Sequence, residues 1–181
     1  MDMVNYGFGM PTRLVVDGDV ARWSGRLVAH YGGTRALVLL GNGVGSHADI
    51  VLAALGSLDR ALLEHAEFPC AQGVGPEEAM VDEVVSLGID ERADFVLAIG
   101  DDETAAFAQR VAERLATEND SDDGFFPYGC VLVQNPARDV IRPRERNGER
   151  VPVFAIVDPV LIDCIGSPLK ELVGNVCGDA V

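Results

Sequence analysis

Basic residues are scarce in this sequence. Its 181 residues include 14 lysines and arginines against 29 aspartates and glutamates, so the formal net charge is -15. A surface with this excess of negative charge repels nucleic acid and anionic membranes, because both present negative phosphates. We therefore expect no nucleic-acid partner and no membrane partner, and we attribute most of the acidity to solubility.

Cysteine and histidine are also sparse, and neither is arranged as a metal site. The three histidines are dispersed, and the cysteines lie far apart without a C-x-x-C pair. A structural zinc site needs four such ligands at close spacings, so the sequence excludes that kind of site. We expect reduced thiols that are buried as small apolar groups, at Cys70, Cys130, Cys164 and Cys177.

Long apolar runs are absent as well. No stretch reaches the roughly 20 apolar residues of a membrane-spanning helix. The N-terminal segment MDMVNYGFGMPTR lacks the basic and apolar regions of a signal peptide, so we expect a cytoplasmic protein. Because 48% of the residues are hydrophobic, the chain can still bury the core of one full domain.

Short β-branched runs alternate with segments of helical periodicity. We predict strands at Thr12–Asp17 and in RALVLLG, RALLEHAEF, ADFVLAIG, YGCVLVQ and VPVFAIVDP, although the Ala-Leu-Leu of the third could also be helical. We predict helices in VARWSGRLVAHYG, SHADIVLAALGS and GPEEAMVDEVVSLGI, and from about Thr104 to Thr117. The alternation predicts an α/β fold, with a doubly wound, mostly parallel Rossmann-like sheet and helices on both faces.

Local signals add detail to these elements. Ser46 is expected to cap the second helix, and Phe107, Val111 and Leu115 fall on one face of the fourth. Asn147-Gly148 indicates a hairpin, and a short helix is expected within residues 167–176.

Two corners between a strand and a helix stand where parallel sheets bind ligands, at the carboxyl ends of the strands. The first, VLLGNGVGSHAD, contains Gly41, Gly43 and Gly45. Glycines let the backbone approach an anion, and the start of a helix offers free N–H groups. The spacing does not match G-x-G-x-x-G, so a phosphate-binding corner and a plain β–α turn are both open.

The second corner, AIGDDETAA, carries three carboxylates directly after a buried strand. A pyrophosphate would require bare N–H groups here, and two like charges about 4 Å apart repel by about 1 kcal/mol in water. The same side chains suit the start of a helix, where each stabilises by about 0.3–1 kcal/mol. We favour structural capping, with Mg²⁺ binding as the alternative.

Several segments resemble, in the right order, iron-containing alcohol dehydrogenases. YGFGMPTRLVVDG is similar to the family's opening F-x-x-P-T strand, and ADFVLAIGDDETAAFAQRVA to D-F-I-L-A-V-G-G-G-S-V-I-D-A-A-K. FPYGCVLVQNP resembles the P-x-G-x-V-L-T-L-P strand of the NADPH-linked butanol dehydrogenase branch. VPVFAIVDPVLI is similar to P-x-F-A-I-x-D-P-E-L, and GNVCGDAV to the G-x-D-A metal segment. The ordered set covers nearly the whole chain.

The resemblance implies an NAD(P)-dependent alcohol or aldehyde oxidoreductase in which Fe²⁺ or Zn²⁺ polarises the substrate oxygen. In that family an α/β nucleotide-binding domain precedes a helical metal-binding domain. Residues 1–181 would form the first domain only, with the helical domain absent. Dimerisation through this domain is also implied, which makes the strand Thr12–Asp17 a candidate contact.

Carried over position by position, the resemblance assigns two cofactor turns and one metal ligand. The first turn contacts the adenosine ribose and 2′-phosphate, and the glycine at Gly41, where an aspartate would favour NAD, points to NADPH. The second turn is the counterpart of the pyrophosphate loop Gly-Gly-Gly-Ser. The metal ligand is Asp179, and no catalytic residue is assigned. The cofactor positions are Gly41, Asn42, Gly43, Gly100, Asp101, Asp102 and Glu103.

Three functions follow from these observations. The chain could be a truncated dehydrogenase domain that is inactive alone, because its pyrophosphate loop is acidic and one aspartate cannot hold a catalytic metal. It could be a non-catalytic binding or interaction module that forms a homodimer or pairs with a full-length dehydrogenase. It could also be half of a split dehydrogenase whose complementary chain supplies the helical domain.

Overall fold

The computed structural model describes residues 13–16, 19–70, 78–119, 125–133 and 152–157. In these ranges the strands are β1 (Arg13–Val16), β2 (Arg35–Leu40), β3 (Glu64–Pro69), β4 (Phe95–Gly100), β5 (Tyr128–Leu132) and β6 (Phe154–Val157). The helices are α1 (Ser24–His30), α2 (Ala48–Arg60), α3 (Glu78–Asp90) and α4 (Asp102–Glu118), with 3₁₀ turns at Val20–Trp23 and Val44–Ser46. Within the same ranges, none of the helices has the length and hydropathy needed to cross a membrane.

The strands form one parallel sheet in the order β1-β6-β5-β4-β2-β3. The chain passes from β2 outward to β3, and then crosses back over β2 to β4, from which the sheet grows in the opposite direction. This reversal places β2 and β4 side by side. The predicted doubly wound, parallel α/β sheet is confirmed.

Each face of the sheet carries its own apolar core. Phe95, Leu97 and Ile99 of β4 pack with α1 and α2, whereas Val96 and Ala98 pack with α3 and α4. Alternate side chains of a strand point to opposite faces. A strand covered on both faces therefore reads as a continuous apolar run, as β4 does.

The helix α4 is held on the sheet by the apolar stripe that its sequence predicts. Phe107 is 3% exposed, and Val111 and Leu115 are fully buried. The helix extends from Asp102 to Glu118, slightly beyond the predicted bounds. It follows the carboxyl end of β4 and fixes the geometry of the second corner, called the acidic corner below.

The predicted third strand began too early. The helix α2 continues to Arg60, and β3 covers only Glu64–Pro69. Between them, Leu62 has a left-handed φ of 58°, and the N–H of Leu63 donates to the carbonyl of Leu58 at 3.1 Å. Ala61 is the C-cap of α2, so the Ala-Leu-Leu run forms the turn between α2 and β3 and belongs to neither element.

The first predicted helix is present, but its first turn is 3₁₀ and α1 begins at Ser24. It ends as expected before Gly32, whose φ of 88° favours glycine. The hairpin at Asn147-Gly148 and the short helix within residues 167–176 lie outside the described residues.

Candidate functional site

The two corners singled out in the sequence lie side by side. β2 pairs with β4 so that Leu40 is opposite Ile99, and the N–H of Gly41 donates to the carbonyl of Ile99 at 2.9 Å. α2 leaves β2 on one face of the sheet, and α4 leaves β4 on the other. In open α/β sheets this arrangement opens the crevice in which ligands bind. The structure thus brings residues 41–43 and 100–103 together.

The first corner ends in a helix start that no side chain caps. Gly41 is buried, Asn42 and Gly43 are half-buried, and Gly43 has a φ of 84°, which favours glycine. The 3₁₀ turn moves the start of α2 to Ala48, so His47 rather than Ser46 holds the cap position. The prediction that Ser46 caps α2 is therefore wrong. The free N–H groups at this helix start are the feature that attracts anions.

The second corner is capped by its own side chain. Asp101 is the N-cap of α4 and has an extended backbone. One oxygen of its carboxylate accepts the N–H of Thr104 at 3.0 Å and the Thr104 hydroxyl at 2.8 Å. Structural capping, predicted for these acids, is confirmed at Asp101. The N–H that a phosphate would use is already bound to a carboxylate.

The next two acids extend the negative charge of this corner. Asp102 and Glu103 form the first turn of α4, where Asp102 is half-buried and Glu103 is exposed. Both lie at the positive end of the helix dipole, where carboxylates stabilise the helix. A bound anion, such as a phosphate, would be repelled at this helix start by three successive carboxylates.

The side chain of Thr104 fills the crevice between the two corners. Thr104 is 5% exposed. A Cβ atom on Gly41 would collide with the Thr104 side chain, and a Cβ on Gly100 would lie 2.8 Å from the Thr104 Cβ. Both positions therefore require glycine for packing, independently of any cofactor.

Two free thiols lie near the acidic corner. Burial raises the pKa of Cys70 to about 11, with a further contribution from the charge of Asp101. Burial likewise raises the pKa of Cys130 to about 12, with a contribution from Asp102. Both thiols stay protonated at neutral pH, so neither is the thiolate that nucleophilic catalysis or metal binding needs. The expected burial is complete for Cys130 and partial for Cys70.

The second corner does not fit the pyrophosphate that the resemblance places there. The Asp101 carboxylate already occupies the helix start, and like charges repel. For metals, no three His, Cys, Asp or Glu side chains converge within the described ranges. Asp179, the implied metal ligand, lies outside those ranges.

Comparison by sequence finds no matching family model and no matching curated protein. Comparison by fold finds several dehydrogenases. NADH-dependent butanol dehydrogenase A of Thermotoga maritima matches with a TM-score of 0.67 and 21% identity, over 88% of this chain and 45% of that one. The aldehyde reductase YqhD of E. coli matches with a TM-score of 0.66 and 19% identity, over 92% of this chain and 47% of that one.

An iron-containing alcohol dehydrogenase of Thermotoga maritima matches with a TM-score of 0.67 and 21% identity, over 84% of this chain and 47% of that one. This chain has the fold of the N-terminal part of an iron-containing alcohol dehydrogenase. The predicted resemblance is confirmed for the fold. This chain spans a little under half the length of these proteins.

Sequence reasoning missed the role of Thr104 in this dehydrogenase-like fold. Its contact with Gly41 joins residues far apart in the chain, so no local pattern reveals it. Its hydrogen bond with Asp101 could have been predicted from the sequence spacing. Asp101 precedes Thr104 by three residues, which is the spacing between an N-cap and the N–H that it accepts.

Proposed function

We propose that this chain is a dehydrogenase-type α/β domain of the alcohol and aldehyde oxidoreductase class that does not transfer hydride by itself. One observation carries the proposal. The Asp101 carboxylate accepts the Thr104 N–H at the start of α4, where a dehydrogenase of this fold would hold the cofactor pyrophosphate. The domain keeps the scaffold, and its own carboxylate stands in the place of the phosphate.

The energetics favour the internal cap over the ligand. Breaking the Asp101 cap costs about 0.5–2 kcal/mol. Each charge pair between a phosphate and a nearby carboxylate adds about 1 kcal/mol of repulsion in water, and more at a half-buried site. Asp102 and Glu103 follow directly, so their repulsion adds to the cost of breaking the cap and opposes dinucleotide binding.

The first corner is the remaining contact for a dinucleotide, and the resemblance implies NADPH there because Gly41 stands where an aspartate would favour NAD. The resemblance gives this chain Asp179 as one ligand of an Fe²⁺ or Zn²⁺ site. Such sites take three or four protein ligands, so metal-assisted chemistry would require ligands from another domain or chain.

The decisive experiment compares cofactor binding by the full chain and by a corner variant. We expect millimolar NADPH to leave the melting temperature of the natural sequence unchanged. A ligand present at about 100 times its Kd would stabilise by about 2.7 kcal/mol and shift the melting temperature by several degrees. The variant Asp101→Gly, Asp102→Gly, Glu103→Ser restores the loop of the family, and we expect it to show such a shift.

A charge-matched control separates the corner from the overall charge. Glu83, Asp90 and Glu91 are exposed on and just after α3, away from the corner, and replacing all three by serine removes the same charge. This control should remain unresponsive to NADPH. A clear shift with the natural sequence would overturn the proposal.

A second candidate function is assembly with another chain through β1. Within the described residues, β1 pairs with β6, and no described strand pairs with its other edge. Val15 and Val16 on this strand are half-buried. The opposite edge strand, β3, carries Glu64 and Glu67, which discourage pairing. Either a homodimer or a pair with a longer dehydrogenase would use the β1 edge.

A further inference from the structure

A cavity of about 230 Å³ opens beside α2, at the carboxyl ends of β5 and β6. Its floor includes Val131, Leu132 and Ile156, which are at most 2% exposed. None of the cofactor positions named above lines it. The cavity is therefore a second candidate site on the ligand-binding edge of the sheet, separate from the crevice between β2 and β4.

The rim of this cavity carries charges of both signs. Asp19 and Arg22 come from the first 3₁₀ turn, and Asp49 comes from the first turn of α2. The Arg22 Nε donates to the Asp19 carboxylate at 2.8 Å, and both side chains are more than half exposed. These groups can exchange partners with a ligand at little cost, because exposed ion pairs contribute only about 0–1 kcal/mol.

The start of α2 adds positive potential at the same rim. No side chain caps this helix, and the dipole places a partial positive charge at its first N–H groups. Positive potential thus comes from Arg22 and the helix start, and negative potential comes from Asp19 and Asp49. A ligand with one charge would match only half of this rim, whereas a zwitterion matches both halves.

We propose that this cavity binds a small zwitterion with an apolar side group, of the class of the branched-chain α-amino acids. The ammonium group faces the carboxylates of Asp49 and Asp19, and the ligand carboxylate faces Arg22 and the start of α2. The aliphatic group covers the floor formed by Val131 and Ile156. The lining residues of this cavity differ from all of the cofactor positions, and only the start of α2 is common to the cavity and the first corner.

The test uses the ¹⁵N-labelled full chain and three ligands of nearly equal shape. L-leucine carries both charges, 3-methylbutylamine keeps only the ammonium, and 4-methylpentanoate keeps only the carboxylate. We expect leucine to bind about fivefold more tightly than either analogue, because the loss of an exposed ion pair weakens binding by up to about that factor. The amide shifts should be confined to the cavity, at Ile50, Val131 and Ile156.

Two variants and a control locate the site. Asp49→Asn removes an exposed charge and should weaken leucine binding by up to about fivefold, because an exposed ion pair contributes at most about 1 kcal/mol. Ala53→Leu places a larger side chain in the cavity and should abolish binding of all three ligands, with amide dispersion showing that the variant is folded. Asp90→Asn, an equally exposed change outside the cavity, should leave leucine binding unchanged.

Three outcomes would overturn the inference. The first is that leucine causes no amide shifts at the cavity. The second is that the amine or the acid binds as tightly as leucine. The third is that Asp49→Asn, which does not depend on packing, leaves the affinity unchanged.

Discussion

Thr104 accounts at once for two glycines that a dehydrogenase comparison would attribute to a cofactor. Its side chain fills the space over Gly41 and Gly100, and its hydroxyl donates to Asp101. Gly41 does not have a positive φ, so its backbone conformation does not require glycine. Glycine is required there only because a side chain would collide with Thr104. The absence of a side chain at Gly41 is therefore a requirement of this fold, whichever nucleotide does or does not bind.

The first prediction at the residue scale concerns this contact. Gly41→Ala should lower the free energy of unfolding by about 1–3 kcal/mol, which is the usual cost of overpacking a buried site. In a Thr104→Gly background the same substitution should cost much less, because the atoms that it strikes are gone. Urea denaturation of the four proteins gives the coupling energy of the pair.

The same corner supplies the control. Gly45→Ala adds a Cβ where no atom lies within 4 Å, so it should change stability by less than about 0.5 kcal/mol. If Gly41→Ala lowers the free energy of unfolding no more than Gly45→Ala does, packing against Thr104 does not explain the glycine at position 41. Cofactor binding would then be the better explanation.

Much of the acidic corner could be predicted from local sequence, and its packing could not. Asp101 follows a buried strand and precedes a helix, and the cap follows from those neighbours alone. Ser46 carried a similar signal, but Gly43 adopts a left-handed φ and begins a 3₁₀ turn that delays α2. Backbone geometry of that kind is set by the fold around the turn, so a prediction from residue type alone placed the cap at the wrong residue.

At the scale of whole elements, burial decided which strands could be read from the sequence. β4 is buried on both faces and gives an unbroken apolar run. β3 is an edge strand with exposed Glu64 and Glu67, so its signal was weaker than that of the preceding Ala-Leu-Leu. The order of the strands depends on contacts between distant segments, and only its doubly wound class followed from the alternation of elements.

The prediction at the element scale concerns the edge of β1 that pairs with no described strand, called the free edge below. The N–H of Arg13 donates to the carbonyl of Val153, on the side of β6. Successive residues of a parallel strand alternate between its two neighbours, so the N–H of Val16 points away from β6, towards this free edge. If chains pair through this edge, Val16→Pro should dissociate the dimer while β1 stays paired with β6. Sedimentation equilibrium measures the dissociation constant.

Val16→Thr serves as the matched variant for this prediction. Threonine keeps both the β-branched shape and the N–H, so the dimer should survive. A natural sequence that sediments as a monomer at micromolar concentrations would contradict the proposed role of β1. So would a Val16→Pro dimer as tight as that of the natural sequence.

At the scale of the whole molecule, the negative charge is unevenly distributed along the chain. No aspartate or glutamate occurs from residue 20 to residue 48, a segment that includes α1, β2 and the first corner. The second corner has three acids in succession. Any anion approaching the carboxyl edge of the sheet would therefore meet less repulsion at the start of α2 than at the start of α4.

The burial of ionisable groups in and beside the sheet predicts a loss of stability at alkaline pH. Burial raises the pKa of Cys130 to about 12 and that of Cys70 to about 11, and it also raises the pKa of Tyr128. In the unfolded chain the thiols ionise near pH 8.5. Above that pH the unfolded state releases protons that the native state retains, so the free energy of unfolding falls as pH rises.

The contribution of each thiol is separable by substitution. For the fully buried Cys130, the loss should approach about 1.4 kcal/mol per pH unit above the unfolded pKa. Urea denaturation at several values between about pH 8 and pH 10.5 measures this slope. Both native pKa values lie above this range, so Cys130→Ala and Cys70→Ala should each flatten the slope, and their effects should diverge only towards pH 11, where native Cys70 begins to ionise. The general repulsion of a chain with net charge -15 acts on all three proteins alike. Equal slopes in the natural sequence and in Cys130→Ala would show that the buried thiol does not govern alkaline unfolding.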